Sequence, residues 1–198
     1  MNFELAYLYV MEYLPANLPD YIHYHNVEHT VEVVRNIETI AKGENVNDEE
    51  MVILKTAALF HDTGFTQTYN NHEFVSTQIA REVLPKYGYS DEQIDLVSSL
   101  IMATVYPPQP KNKLEMIISD ADILYIGEDD FDNVAKKLEI EFKHEAIIND
   151  HNDWLRTEYN FLKNAKFYTD TAKKLMDEGL RKNLEEAERQ YLQSINSK

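Results

Sequence analysis

Three short segments of this chain carry histidines and acids at spacings that could hold a cation. The first is Tyr24-His25-Asn26-Val27-Glu28-His29, which runs into the apolar-rich TVEVVRNIETIA. Asn26 is a good N-cap, so a helix is expected from Val27, with His25 just outside it and His29 in its first turn. His29 falls in helical register with Val33, Ile37 and Ile40 and therefore faces inward. The second segment is Ala57-Ala58-Leu59-Phe60-His61-Asp62-Thr63-Gly64-Phe65, in which His61 and Asp62 end the most hydrophobic helix of the chain. A helix C-terminal cap would account for His61, because an imidazolium suits the negative end of the helix dipole and Gly64 can close the helix. It would not account for an acid at the same end. A cation between His61 and Asp62 accounts for both. The third segment is Leu114 to Gly127, where Asp122 lies four residues beyond Ile118 and eight beyond Leu114, on their apolar face. A buried carboxylate needs a counter-charge. No Lys or Arg occurs between Lys113 and Lys136, so the partner must come from elsewhere in the fold.

Together these residues are two imidazoles and two carboxylates, His29, His61, Asp62 and Asp122. Such a mixed nitrogen and oxygen set suits Mn, Fe, Co, Ni or Zn and, less well, Mg. Ligands would sit at about 2.0–2.3 Å, leaving positions open for water and substrate oxygens. Asp120 lies off the apolar face of Asp122 and has two readings, an exposed residue or a supporting or second-metal role beside the cation. A calcium loop at 120–132 fails, since the position that should repeat the acid is Leu124 and no glycine follows it. Asn70-Asn71-His72-Glu73 has two readings. It opens a helix through a capping box between Asn70 and Glu73, or it brings His72 or Glu73 to the edge of the metal to bind a second cation or orient water. His23, His144 and His151 read as surface residues. Lys111, Lys113, Arg81 and Arg156 are candidate phosphate contacts.

The elements that must position these groups are helical. The 198 residues contain 43% hydrophobic side chains, enough for one domain with a core, and only five glycines, too few for an all-β fold of many tight turns. Asn47 and Asn112 each stand three before an acid, and Ser90 with Gln93 forms a capping box. Apolar stripes follow at Ile94, Val97 and Ile101, at Val134, Leu138 and Phe142, and at Leu180, Leu184, Ala187, Tyr191 and Ile195. The run MVILKTAALF (51–60) is apolar nearly all round and reads as a buried central helix, while YPPQP (106–110) forces a loop. The expected fold is all-α, with helices near 3–13, 27–42, 48–61, 71–86, 91–105, 113–126, 130–145, 151–166 and 171–195. Residues 1–198 are read as a single domain, with its motif core at about 21–127 and the helices of 130–198 packing on it.

The formal charge is −16, which disfavours nucleic acid and anionic membranes as partners. An anionic substrate would need a local positive centre, and a divalent ion supplies one. The absence of cysteine removes disulfides, thiolate metal sites and cysteine nucleophiles together. The N-terminal MNFELAYLYVMEYL lacks the basic start and cleavage site of a signal peptide, and no uncharged run is long enough to span a bilayer. A soluble, cytoplasmic protein is expected.

The ordered set YHNxxH, ALFHDTGF and DADIL on an all-α body resembles the HD-domain superfamily of metal-dependent phosphohydrolases, the helical-bundle type to which the phosphodiesterases belong. The resemblance implies His29, His61, Asp62 and Asp122 as metal ligands. It likens His25 to the histidine that, in cyclic nucleotide phosphodiesterases, protonates the leaving oxygen. In some subfamilies a further histidine after HD serves a second metal, the place His72 would take. The chain also departs from its kin. Phe65 stands where many members have a lysine that reaches phosphate, and the GYP signature of cyclic-di-nucleotide hydrolases is absent. The DRLHN segment of the stringent-response hydrolases is replaced by Asp122-Ile123-Leu124-Tyr125-Ile126, and the glutamine that holds the base in mammalian-type phosphodiesterases has no counterpart. What remains is similar to the small bacterial HD phosphohydrolases. The activity this implies is hydrolysis of a phosphate ester or anhydride of a small molecule, a nucleotide, with His25 and Asp62 handling protons. The alternatives are an HD-type nucleotide-binding or phosphate-binding regulator with little turnover, and a helical protein with a structural ion.

Overall fold

The computed structural model describes residues 1–196, and among them every regular element is helical. Nine α-helices follow in order: α1 (Phe3–Asn17), α2 (Val27–Gly43), α3 (Asp48–Phe60), α4 (His72–Val83), α5 (Asp91–Met102), α6 (Lys113–Asp122), α7 (Phe131–His144), α8 (His151–Asn164) and α9 (Asp170–Asn196). Three short 3₁₀ turns intervene at Thr63–Thr66, Leu84–Tyr87 and Leu124–Gly127. The starts are chemical. Asn26, Asn47, Ser90, Asn112 and Asp150 each accept a backbone N–H in the first turn of the helix they precede, and Asn47–Glu50 and Ser90–Gln93 close full capping boxes.

The helix α3 is the centre. Leu54, Ala57, Leu59 and Phe60 are fully buried, and α1, α2, α5 and α6 pack around them. Each such large apolar side chain contributes about 1.5–3 kcal/mol by leaving water. The helix α9 lies over α8 and the turn Leu124–Gly127. Its approach to that turn is backbone against backbone: a Cβ on Gly179 would meet the Gly127 carbonyl oxygen at 1.7 Å. Asn183 then donates to the carbonyls of Ile126 and Glu128, both at 2.9 Å. The C-terminal helices are thereby fastened to the turn that follows Asp122.

Some boundaries differ from those the periodicity predicts. The helix α1 continues through Pro15 to Asn17, since a proline in the last turn forfeits one hydrogen bond and Leu18 N–H still closes on Leu14. The predicted helices 48–61 and 113–126 both stop early, at Phe60 and Asp122, and give way to 3₁₀ turns. These two breaks flank the site. Ile195, expected in the apolar stripe of α9, is half exposed in the last turn of that helix.

Candidate metal centre

Each polar residue of the site stands where a helix starts or stops. The Asn26 side chain accepts the N–H groups of Glu28 at 2.8 Å and His29 at 3.2 Å, fixing the first turn of α2 with His29 buried. His61 and Asp62 follow directly on the last residue of α3 and are also buried. Asp122 is the last residue of α6. The structure brings these four side chains together. His29 Nε2 lies 3.4 Å from Asp62 Oδ2 and 3.3 Å from Asp122 Oδ1, and His61 Nε2 lies 3.1 and 3.2 Å from the same two oxygens.

The donor set fits a divalent cation. Two ligands about 2.1 Å from an ion and separated by tetrahedral or right angles lie roughly 3.0–3.4 Å apart, which matches the four observed edges. The protonation pattern points the same way. His61 Nδ1 is 2.7 Å from the Ala58 carbonyl oxygen, which can only accept, so Nδ1 carries a proton. A neutral ring then turns its Nε2 lone pair toward two carboxylate oxygens, a contact relieved by a cation between them or by a proton on Nε2. His61 Nε2 and Asp62 Oδ2 are both fully enclosed and meet no hydrogen-bond partner. Burial opposes charge on every member, yet the two carboxylates hold the His61 pKa well above the usual imidazole range. His61 and His29 in turn hold Asp62 and Asp122 below the usual carboxylate range. The cluster thus favours positive charge at its centre, carried by the imidazoles or by a bound cation.

His72 lies on the other side of Asp62, with its Nε2 3.4 Å from Asp62 Oδ1. Its Nδ1 donates to the Tyr69 carbonyl at 3.1 Å, and Glu73 Oε2 is 3.6 Å from the same nitrogen. Asp62 therefore divides its oxygens, Oδ2 toward His29 and His61 and Oδ1 toward His72. Gly64 permits this approach, because a Cβ there would sit 2.0 Å from the His72 carbonyl oxygen. Of the two readings of Asn70-Asn71-His72-Glu73, the capping box between Asn70 and Glu73 does not form. Asn71 is the residue before α4, in the left-handed region at φ 57°, and makes no side-chain cap, so the segment turns sharply back toward Asp62. Asp120 is corrected as well. It is fully buried, not superficial, and its carboxylate accepts from the backbone of Tyr168 at 2.8 Å and from the backbone and hydroxyl of Thr169, both at 2.7 Å. It anchors the approach to α9 rather than facing the four-residue cluster.

His25 stands at the rim, its Nδ1 2.6 Å from Glu141 Oε2. Glu141, fully buried on α7, also accepts the backbone N–H groups of His23, Tyr24 and His25 through Oε1, at 2.8, 2.5 and 3.2 Å. These bonds and His25 hold its carboxyl below the usual range although burial opposes its charge. Phe65 is stacked between two imidazoles, with ring centroids 4.2 Å from His25 and 3.8 Å from His72. Tyr24, buried against the His29 ring, has a hydroxyl with no hydrogen-bond partner in the protein. Neither Glu141 nor Tyr24 stood out in the sequence. For Glu141 a signal existed: it is an acid three residues beyond Leu138, on the inward face of α7.

A chamber of about 560 Å³ opens beside the cluster. His25, Tyr24 and Asp122 line it from the cluster, and Leu138, Trp154 and Phe161 of α7 and α8 form its far wall. The four cationic residues singled out as phosphate contacts are not among its lining. Arg81 pairs with Asp95 at 2.7 Å and Arg156 with Asp153 at 2.8 Å, Lys113 donates to the Glu44 carbonyl at 3.2 Å, and Lys111 lines a separate surface depression.

The HD domain family matches residues 26–127, a span that holds His29, His61, Asp62 and Asp122. An uncharacterized protein of Clostridium beijerinckii is 33% identical over 81 residues, covering 39% of this chain and 51% of that protein, so the chain spans about half the length of this curated relative. A crystal structure of a predicted HD superfamily hydrolase from an uncultured Thermotogales bacterium superposes with a TM-score of 0.58 at 20% identity, covering 96% of this chain and 91% of that one. At that identity the likeness is one of fold, and it extends over the C-terminal helices beyond the family match. No described helix is long and apolar enough to cross a membrane. With more than half of its length matched and the ordered histidines and aspartates inside the match, the chain belongs to the HD-domain family.

Proposed function

We propose that the protein is a metal-dependent phosphohydrolase that cleaves a phosphate ester or anhydride of a small molecule, a nucleotide, with one divalent ion held by His29, His61, Asp62 and Asp122. The observation that carries this reading is the pair of enclosed, unpartnered atoms, His61 Nε2 and Asp62 Oδ2, facing each other at 3.1 Å beside two further ligand atoms. A cation bound there supplies Lewis acidity toward a phosphoryl oxygen and a water acidified toward neutral pH. The protein supplies proton transfer and orientation. Asp62 can take up a proton at Oδ1, where His72 stands ready to share it. His25 lines the chamber with Nδ1 tied to Glu141, which leaves Nε2 to deliver a proton to a leaving oxygen. The aromatic wall that includes Trp154 and Phe161 supports a substrate with a flat ring.

The same dyad favours turnover over a purely regulatory role, since a binding module has no need of a histidine held at 2.6 Å by a buried carboxylate. Metal analysis of protein purified without chelator, followed by phosphate release from a nucleotide panel with Mn, Fe, Co, Ni, Zn and Mg, tests the reading. Stoichiometric metal that is lost in His61→Ala, together with metal-dependent release, is expected. A protein that binds metal and nucleotide yet releases phosphate with no ion in the series is a sensor, and the hydrolase reading then falls.

A further inference from the structure

We propose that this site accepts substrates with a single phosphoryl group on an uncharged, ring-bearing alcohol such as a nucleoside, and discriminates against di- and triphosphates. The inference rests on the reading of the His29–His61–Asp62–Asp122 cluster as a cation site and narrows the substrate class. The chamber is of a size used for small-molecule ligands, whose sites run from about 300 to 1,000 Å³. Its walls are largely aromatic and aliphatic, and no lysine or arginine contributes to them. The polar groups away from the cluster are neutral or acidic: Thr104, Ser119, Thr157, Asn160, Asn164 and the buried Glu158.

Charge accounting then decides between substrates. One phosphoryl group beside the cluster meets the bound cation. A second or third would lie either in the chamber, against apolar walls and Glu158, or outward over a protein of formal charge −16. In the chamber no fixed cation meets it, and Lys137 of α7 is already paired with Glu28, at the start of α2, at 3.5 Å; an anion desolvated without a partner is strongly penalised. Phe65 reinforces the deficit, since it is buried between His25 and His72 and brings no charge to the rim. The uncharged remainder fits the opposite way. A nucleobase and sugar have a flat apolar face for the aromatic wall and hydrogen-bonding edges for Asn160, Asn164 and Glu158.

Trp154, the one tryptophan in the chain, lines the chamber and reports occupancy without requiring turnover. The experiment titrates Mn²⁺-loaded protein, with free Mn²⁺ held in excess, and follows Trp154 fluorescence. The probes are the common nucleoside 5′-monophosphates, the corresponding triphosphates and inorganic pyrophosphate, and phosphate release is measured on the same samples. At least one monophosphate is expected to change the fluorescence saturably and to bind about tenfold or more tightly than its own triphosphate, while pyrophosphate leaves the signal unchanged. Asn160→Lys places a cation at an exposed lining position and is expected to narrow that ratio without altering metal content. Triphosphates that bind as tightly as monophosphates, no response to any monophosphate, or a ratio that Asn160→Lys leaves untouched would each overturn the proposal. The two readings separate cleanly. Preferential monophosphate binding without phosphate release removes the hydrolase assignment and keeps this one, whereas efficient triphosphate hydrolysis does the reverse.

Discussion

Glu141 Oε2 lies 2.6 Å from His25 Nδ1, and the companion oxygen of the same carboxylate gathers the backbone N–H groups of His23, Tyr24 and His25. One side chain from α7 thus fixes both the path of the segment before α2 and the tautomer of its histidine. Glu141→Gln can keep the backbone acceptor through its amide oxygen, but its NH2 then faces His25 Nδ1 and cannot accept from it, so the ring loses its fixed orientation. The expected result is a fall in kcat of about 10- to 100-fold with metal content and thermal stability nearly unchanged. Steady-state kinetics alongside metal analysis check it. A variant with undiminished kcat would leave Glu141 a purely structural anchor.

Binding of a cation by the four-residue cluster predicts a thermal signature. A ligand present at 100 times its Kd stabilises the native state by about 2.7 kcal/mol. For a chain of this size that raises Tm by roughly 5–10 °C. Mn²⁺ or another ion of the series is therefore expected to raise the Tm of chelator-treated wild-type protein by that order. Asp122→Asn and His61→Ala should abolish the rise. Wild-type protein whose melting is indifferent to every divalent ion would contradict the assignment of these residues as ligands.

The reach of the sequence follows from where periodicity is strong. His29 and Asp122 could be placed on inward faces because each continues an apolar stripe that packing then buries, Val33 and Ile37 for the first and Ile118 for the second, whereas His61 was marked by ending a helix that is apolar nearly all round. The helical architecture was legible for the same reason, reinforced by the caps at Asn26, Asn47 and Ser90. The roles of Glu141, Tyr24 and the chamber were not, because a local pattern can mark a residue as inward but does not name the distant groups that meet it. Glu141 reaches His25 across 116 positions. Asp120 was misjudged for a related reason. Its partners at Tyr168 and Thr169 stand 48 and 49 residues away, so a helix taken alone shows a polar residue with nothing to bind.

Glu158 predicts a pH dependence of stability. Burial in the chamber wall raises its pKa to about 7, and Asp132 and Glu139 push the same way. A carboxyl whose folded-state pKa exceeds its unfolded value binds its proton more tightly when folded. Its stabilising effect is complete below the unfolded value near 4.5 and is lost as pH rises toward about 7. Over that window the loss is about 3 kcal/mol, at about 1.4 kcal/mol per pH unit. Glu158→Gln is expected to remove this slope, so the variant gains stability over wild type at pH 8 relative to their difference at pH 5. Urea melts at the two pH values measure it. Parallel wild-type and variant curves would mean that Glu158 does not titrate in this window.

Tyr24 offers a trade between stability and activity. Its ring is buried against His29, with a centroid distance of 4.4 Å, and against Tyr125 at 5.2 Å, so the aromatic body is well packed. Its hydroxyl meets no partner in the protein although the residue is only 5% exposed and lines the chamber. An unsatisfied buried hydroxyl costs about 1–3 kcal/mol, and phenylalanine keeps the ring without that cost. Burial, reinforced by Tyr125, Asp122 and Asp62, raises the Tyr24 pKa well above the usual phenol range and keeps the hydroxyl a donor at neutral pH. A donor held beside the cluster suits a phosphoryl oxygen. Tyr24→Phe is therefore expected to raise the Tm of the metal-free protein by a few degrees while lowering kcat/KM about tenfold, the pattern of a residue kept for function at the expense of stability. Calorimetry and kinetics on the same preparation decide the matter. A lowered Tm with unaltered kcat/KM would show that the hydroxyl serves the fold and not the substrate.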